Sequence, residues 1–86
     1  MEVDNRHALM FTTETCGACK LIKTYLKDIK DINVKEIMLS DETRDLFKEN
    51  GVVSAPTILF YKNDELLSRR EGFISQGKFM EEYFSN

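Results

Sequence analysis

Cys16 and Cys19 are the two cysteines of this 86-residue chain, and Gly17 and Ala18 stand between them. A disulfide between them closes so short a loop that it would stabilise little of the chain. In a reducing compartment, paired cysteines are more often catalytic or metal-binding than structural. The spacing therefore predicts either thiol–disulfide chemistry or a share in a metal site.

The cysteine pair lies where a predicted strand ends and a predicted helix begins. The apolar run Ala8–Phe11 predicts a buried strand over His7–Thr12, and apolar residues then recur at helical spacing: Cys19, Ile22, Leu26 and Ile29. Free N–H groups and the positive dipole end of a helix stabilise a thiolate at its start. We therefore predict that Cys16 is an exposed nucleophile that attacks disulfides. Cys19, on the buried side, would resolve the mixed disulfide.

Metal binding is the alternative interpretation of the same spacing. Structural zinc takes four ligands, and His7 is the one histidine of the chain. It lies roughly 15 Å from Cys16 along the predicted strand. These facts disfavour a site within one chain, so no metal ligands are assigned. A dimer that shares four thiolates around zinc or an iron–sulfur cluster stays open.

The remaining pattern predicts an α/β fold with the element order β-α-β-α-β-β-α. Strands are predicted over residues 33–39, 57–62 and 65–71, with a hairpin turn at Asn63-Asp64. A helix capped at Ser40 should run to Asn50 and stop at Gly51. Ser75 should cap a last helix, whose apolar side is Phe79, Met80, Tyr83 and Phe84.

The order of the strands follows from these connections. A right-handed crossover makes the first two strands parallel, and the hairpin adds two antiparallel strands. The longest apolar strands, the first and the third, should be central. We therefore predict a four-stranded mixed sheet in the order 2-1-3-4, with three helices that cover both faces.

Composition limits the possible partners. Twelve Lys and Arg against 15 Asp and Glu give a net charge of −3, so nucleic-acid binding is not expected. The apolar runs are far shorter than the roughly 20 residues of a membrane span, and residues 1–7 are too polar for an export signal. We expect a single domain over residues 1–86, a cytoplasmic location, no membrane partner and a monomer.

Three segments resemble the thioredoxin family. Thr15-Cys16-Gly17-Ala18-Cys19-Lys20 is similar to the family motif Trp-Cys-Gly-Pro-Cys-Lys. Residues 51–57, Gly-Val-Val-Ser-Ala-Pro-Thr, resemble the loop that carries the family's cis-proline. Residues 61–65 followed by Gly72 resemble the closing hairpin and the glycine beside the active site. The resemblance implies the thioredoxin-like fold, a cis Ala55–Pro56 bond and a shallow substrate surface, made by Thr15, Gly17, Ala18, Ala55, Pro56 and Gly72.

The chain also departs from the family pattern. Met10 stands where thioredoxins have a buried Asp, Thr15 replaces Trp, and Ala18 replaces Pro. The chain has the shorter length of glutaredoxins. It lacks the Gly-Gly pair with which they hold glutathione, because Glu71-Gly72-Phe73 stands there.

The resemblance implies a reductase of protein disulfides that needs no cofactor besides the redox-active Cys16–Cys19 disulfide. Its partners would be disulfide-containing proteins and an electron donor, either a thioredoxin reductase-type enzyme or glutathione. One alternative is a glutaredoxin-like reductant, for example of ribonucleotide reductase. The other is the non-enzymatic dimeric carrier of iron–sulfur cluster or zinc. We interpret Phe73 and Phe84 as core or terminal packing residues. We interpret the four lysines at positions 20, 23, 27 and 30 as a solvated helix face, with a docking surface for an acidic reductase or substrate as the alternative.

Overall fold

Four strands and three helices follow one another in the computed structural model, which describes residues 5–85. In chain order they are β1 (Arg6–Thr12), α1 (Gly17–Leu26), β2 (Val34–Met38), α2 (Arg44–Glu49), β3 (Thr57–Lys62), β4 (Glu65–Glu71) and α3 (Gln76–Tyr83).

The strands form one sheet in the order β2-β1-β3-β4. β1 pairs with β2 in parallel, while β3 is antiparallel to both β1 and β4. The predicted fold class, the mixed sheet and the strand order are confirmed. The two central strands are the most apolar ones, as expected for strands that are covered on both faces.

The helices divide between the two faces of the sheet because side chains alternate along β1. Ala8 and Met10 point to one face and pack in a cluster with residues of α1 and α3, including Ile22 and Phe79. Phe11 points to the other face and packs in a cluster with Phe47, Val52 and Leu59. Both faces of the sheet are therefore covered, as predicted.

Turn and capping residues in the sequence correctly predicted the ends of several helices and strands. Asn63 and Asp64 both have positive φ, 51° and 68°, which is the geometry of a tight hairpin turn. Gly51, with φ 62°, follows the end of α2. Ser75 is the N-cap of α3, where its hydroxyl oxygen accepts a hydrogen bond from the N–H of Lys78 at 3.3 Å.

The predicted start of α2 was wrong. Ser40 begins a separate turn, and the helix starts only at Arg44. The reason is competition from side-chain hydroxyls. The Thr43 hydroxyl donates to the Met38 carbonyl at 2.6 Å and accepts from the N–H of Ser40 at 2.9 Å.

Other bounds differ by less. β1 begins one residue earlier than predicted, and β2 is one residue shorter at each end. α1 ends at Leu26, so the half-buried Ile29 lies beyond the helix. Phe84 lies one residue beyond α3 and is 49% exposed, and its ring packs in a T-shaped contact with Tyr83, with centroids 4.9 Å apart, so it is a terminal packing residue and not a core residue.

The Tyr83 hydroxyl joins three parts of the fold. It donates to the carbonyl of Arg6 at 3.0 Å and accepts from the N–H of Asn33 at 2.8 Å. These contacts link α3 to the start of β1 and to the segment before β2. Tyr83 is only 4% exposed, so water cannot readily replace the hydroxyl.

We expect Tyr83→Phe to lower the free energy of unfolding by about 1–3 kcal/mol, because it removes two part-buried hydrogen bonds, each contributing about 0.5–1.5 kcal/mol. Urea unfolding at neutral pH measures the loss. Tyr61→Phe is the matched control, since the Tyr61 hydroxyl makes no hydrogen bond within residues 5–85. The control should change stability by less than about 0.5 kcal/mol. Equal losses in the two variants would contradict the role given to the Tyr83 hydroxyl.

Candidate active site

Cys16 and Cys19 are joined by a disulfide, and their Cα atoms are 5.3 Å apart. Cys16 is the N-cap residue of α1, and its sulfur accepts a hydrogen bond from the N–H of Cys19 at 3.1 Å. Cys16 is half-buried, whereas Cys19 is 1% exposed. Cys16 is thus less open than predicted, but it is the cysteine of the pair with surface exposure, so an attacking group from outside would meet Cys16 first.

The turn between β1 and α1 holds Cys16 at the helix start. The N–H of Cys16 donates to the carbonyl of Thr13 at 3.2 Å, and the Cys16 carbonyl accepts from the N–H of Lys20 at 3.4 Å. The first turn of α1 contains no acidic residue. A Cys16 thiolate, once formed by reduction, would therefore meet free helix N–H groups and a favourable dipole.

The loop with Pro56 lies next to this turn. Phe11 in β1 is paired with Thr57 in β3, which places Pro56 beside Thr12 at the end of β1. The Ala55–Pro56 bond is cis, as the resemblance implied. Pro56 is buried and Ala55 is half-buried.

Gly72 extends the same surface from β4. Its N–H donates to the carbonyl of Pro56 at 2.8 Å. Its φ of 88° is a left-handed conformation that residues with a Cβ rarely adopt. The Pro56 loop and the Gly72 segment are therefore held together directly.

Tyr25 connects the Gly72 segment to the helix that carries the cysteines. Its hydroxyl donates to the carbonyl of Ile74 at 2.7 Å. Burial raises the pKa of Tyr25 to about 12, so it keeps its proton as a donor at neutral pH. The helix, the Gly72 segment and the Pro56 loop thus form one connected unit.

A hydrogen-bonded cluster joins α1 to the end of β1 and the middle of β2. The Thr12 hydroxyl donates to a Glu36 carboxylate oxygen at 2.7 Å, and the Lys23 ammonium donates to the same oxygen at 3.0 Å. Partial burial raises the pKa of Glu36. The hydrogen bonds from Thr12 and Lys23, together with the Lys23 charge, outweigh that effect and hold the pKa below its usual value. Lys23 is therefore an ion-pair residue rather than part of a purely solvated face.

Met10 occupies the position at which the family pattern has a buried Asp. Met10 is 1% exposed and packs in the core cluster that contains Ile22 and Ile58. The buried Asp of the family pattern thus has an apolar counterpart here, in agreement with the sequence.

The predicted substrate surface is partly open. Thr15 and Gly17 are exposed, whereas Ala18 and Gly72 are half-buried. Phe73 was predicted to pack, but it is 56% exposed. The left-handed backbone at Gly72 redirects the chain just before Phe73, and neighbouring Ile74 occupies the core instead.

Sequence reasoning missed a groove of about 240 Å³ beside the Pro56 loop. Thr13 and Ala55 line it at the active-site end, and Arg44 and Lys48 of α2 line it further out. The one signal in the sequence was two cations four residues apart, in a helix just before the proline loop. We call this feature the α2 groove; its lining also includes Leu39, Phe47, Val52, Val53 and Ser54.

Residues 5–85 contain no group of three or more His, Cys, Asp or Glu side chains arranged to hold a metal ion. His7 stacks on the ring of Tyr61, with ring centroids 4.8 Å apart. In the same part of the chain, every helix is too short or too polar to span a bilayer.

Comparison with known proteins gives consistent results. The protein-family model for thioredoxin matches residues 1–83. The chain is 29% identical over 65 residues to mitochondrial thioredoxin-2 of Schizosaccharomyces pombe, covering 72% of this chain and 49% of that protein. It is 29% identical over 78 residues to NADPH-dependent thioredoxin reductase 3 of Arabidopsis thaliana, covering 85% of this chain and 15% of that protein. The chain therefore spans about half or less of these two relatives.

The structure agrees with solved thioredoxins. A thioredoxin-2 from a malaria parasite matches it with a TM-score of 0.79 at 26% identity, over 93% of this chain and 82% of that one. The resemblance noted in the sequence is thus confirmed by a family model and by an independent comparison of folds. Because the match to the family model extends over nearly the whole chain, the chain belongs to the thioredoxin family.

Proposed function

We propose that the protein is a thiol–disulfide oxidoreductase that reduces disulfides in other proteins. The observation that carries the proposal is the asymmetry of its disulfide. Cys16 is half-buried at the start of α1, whereas Cys19 is 1% exposed and lies one turn behind it. Membership of the thioredoxin family supports the same activity.

The first step uses the Cys16 thiolate. It attacks one sulfur of a substrate disulfide, forms a mixed disulfide and releases the other substrate sulfur as a thiolate. The free N–H groups at the start of α1 favour the thiolate form of Cys16.

The second step regenerates the disulfide of the protein. Cys19 loses its proton and attacks the Cys16 sulfur, which releases the second substrate thiolate. The two substrate thiolates take up the two protons that the cysteines lost. Two electrons have then moved from the Cys16–Cys19 dithiol to the substrate.

The substrate segment would bind in an extended form along the Pro56 loop. Within residues 5–85 the backbone N–H and carbonyl of Ala55 form no hydrogen bond, so they can pair with a substrate strand. Around Cys16, the small residues Gly17, Ala18 and Gly72 and the polar Thr15 would leave room for that segment.

We further propose a thioredoxin reductase-type electron donor. Part of a protein named as a thioredoxin reductase is similar to this chain. Glutathione is disfavoured because the sequence has Glu71-Gly72-Phe73 where glutaredoxins have a Gly-Gly pair. The cytoplasmic location and the monomeric state stay predictions.

The roles of the cysteines can be tested by trapping. Cys19→Ser should accumulate a stable mixed disulfide with a model substrate such as insulin, because nothing resolves the bond to Cys16. Mass spectrometry of the trapped complex should locate the bond at Cys16. Cys16→Ser is the matched control, and it should neither trap substrate nor turn it over. Full activity in Cys16→Ser would overturn the assignment.

The electron donor can be tested by comparing initial rates. Reduction of the Cys16–Cys19 disulfide should be at least about tenfold faster with NADPH and a thioredoxin reductase than with glutathione and glutathione reductase. The reverse ratio would assign the glutaredoxin-like function instead. Anaerobically purified dimers that hold iron or zinc and show no reversible disulfide would contradict both and indicate the metal carrier.

A further inference from the structure

We infer that the α2 groove selects substrate segments that carry an acidic side chain close to their disulfide. The inference rests on the proposed function, because it concerns substrates of the Cys16–Cys19 pair. It names a specificity site that extends from Ala55, at the edge of the predicted substrate surface, to Arg44 and Lys48 of α2.

The groove is continuous with the active site. Thr13, which lines it, accepts the hydrogen bond that positions the N–H of Cys16. Ala55 also lines it and offers its free backbone groups to a substrate strand. A segment paired with Ala55 would therefore present side chains near its cysteine to the groove.

The floor of the groove is apolar and already formed. Phe47 and Val52 are each 7% exposed, and the Val52 N–H donates to the Phe47 carbonyl at 2.8 Å. The Phe47 ring packs edge-on against Phe11 of β1, with centroids 5.0 Å apart. Substrate binding would not need to build this surface, which reduces the entropic cost of binding.

The rim of the groove leaves apolar surface uncovered. Val53 is 89% exposed and Leu39 is 44% exposed. Both can contact the methylene groups of an entering glutamate or aspartate. The groove can therefore hold the stem of such a side chain while its carboxylate reaches the rim.

The charged groups of the lining are both cations, Arg44 and Lys48. They are four residues apart in α2, so they lie on the same side of the helix. The Arg44 guanidinium forms an ion pair with the exposed carboxylate of Asp41, with an N–O distance of 3.2 Å. The Lys48 ammonium forms no ion pair or hydrogen bond within the described range 5–85, and it is available to a substrate.

The groove thus differs in charge from the chain around it. The chain as a whole carries a net charge of −3, and no carboxylate lines the groove. A positively charged binding site favours a negatively charged partner and disfavours a positively charged one. An acidic segment would gain both the Lys48 contact and the apolar floor, whereas a basic segment would meet the Lys48 charge, which has no acidic partner within residues 5–85.

The test uses a series of short peptides, each joined through its single cysteine to a chromogenic thiol. The series places Glu, Gln or Lys at each of the three positions on either side of that cysteine. The protein is reduced beforehand and freed of reductant, and the measured quantity is the second-order rate constant for release of the chromogenic thiol in a single turnover, in which Cys16–Cys19 becomes the disulfide. At the position that reaches the groove, the wild-type protein should prefer Glu over Lys by about two- to fivefold, the range of a largely exposed ion pair.

The variants assign the preference to the groove. Lys48→Gln should remove it, and Lys48→Glu should invert it. Lys30→Gln is the matched control, because Lys30 is an exposed lysine that does not line the groove. It should keep the wild-type preference. The preference should also weaken as salt is raised from 0.05 to 0.5 M, because ions screen exposed charges.

The outcomes separate this inference from the proposed function. If the wild-type protein fails to reduce even the Gln peptides, the proposed function itself is wrong. If Gln peptides are reduced but no Glu preference exists, or if the preference survives in Lys48→Glu, the inference is wrong and the function stands. A loss of preference in Lys30→Gln equal to that in Lys48→Gln would also overturn it, since net charge would then be the cause.

Discussion

The pairing of β1 with β3 is the interaction on which the site depends. Phe11 opposes Thr57, and this register sets the Pro56 loop beside the turn that leads to Cys16. The register is enforced by burial, because Ala8, Phe11 and Ile58 have no exposed surface. A slip by one residue would turn every buried side chain of the strand to the opposite face. It would also move Pro56 by about 3.3 Å relative to Thr12. The hydrophobic core and the redox site are therefore determined by the same contacts.

A second constraint is the rotation of α1 about its axis. The helix packs Ile22 into the core, and this places Cys19 on the same side. Cys16, three residues earlier, is then left at the helix start, where it is half-buried. The chemical difference between the two thiols follows from packing. Tyr25 adds to this arrangement, because its hydroxyl holds Ile74 and thereby keeps the Gly72 segment in place beside the helix.

Much of the fold could be predicted from the sequence, because many helix and strand ends are set by residues close together in the chain. The apolar run at residues 57–62, the Asn63-Asp64 turn and the Ser75 cap gave β3, β4 and the start of α3 with the observed bounds. Prediction from the sequence failed for features that depend on contacts between residues far apart in the chain or on backbone geometry. The start of α2 depends on a hydrogen bond from the Thr43 hydroxyl to the Met38 carbonyl, and the ion-pair partner of Lys23 in α1 is Glu36 in β2. Phe73 looks like a core residue by composition, but the backbone at Gly72 places Ile74 in the core instead.

The α2 groove escaped prediction for the same reason, since no periodicity within one element relates Thr13 to Lys48. Its position on α2 also has a consequence for how the protein could evolve. Groups that tune the Cys16 thiolate lie on α1 and its preceding turn, whereas the groove cations lie on a different element, on the other face of the sheet. Substitution of the groove cations would therefore leave the hydrogen bonds around Cys16 in place. The net charge of −3 does not prevent an acidic side chain from binding in the groove. At physiological salt, charges more than about 8 Å apart are largely screened, so a bound acidic side chain responds mainly to the cations that it touches.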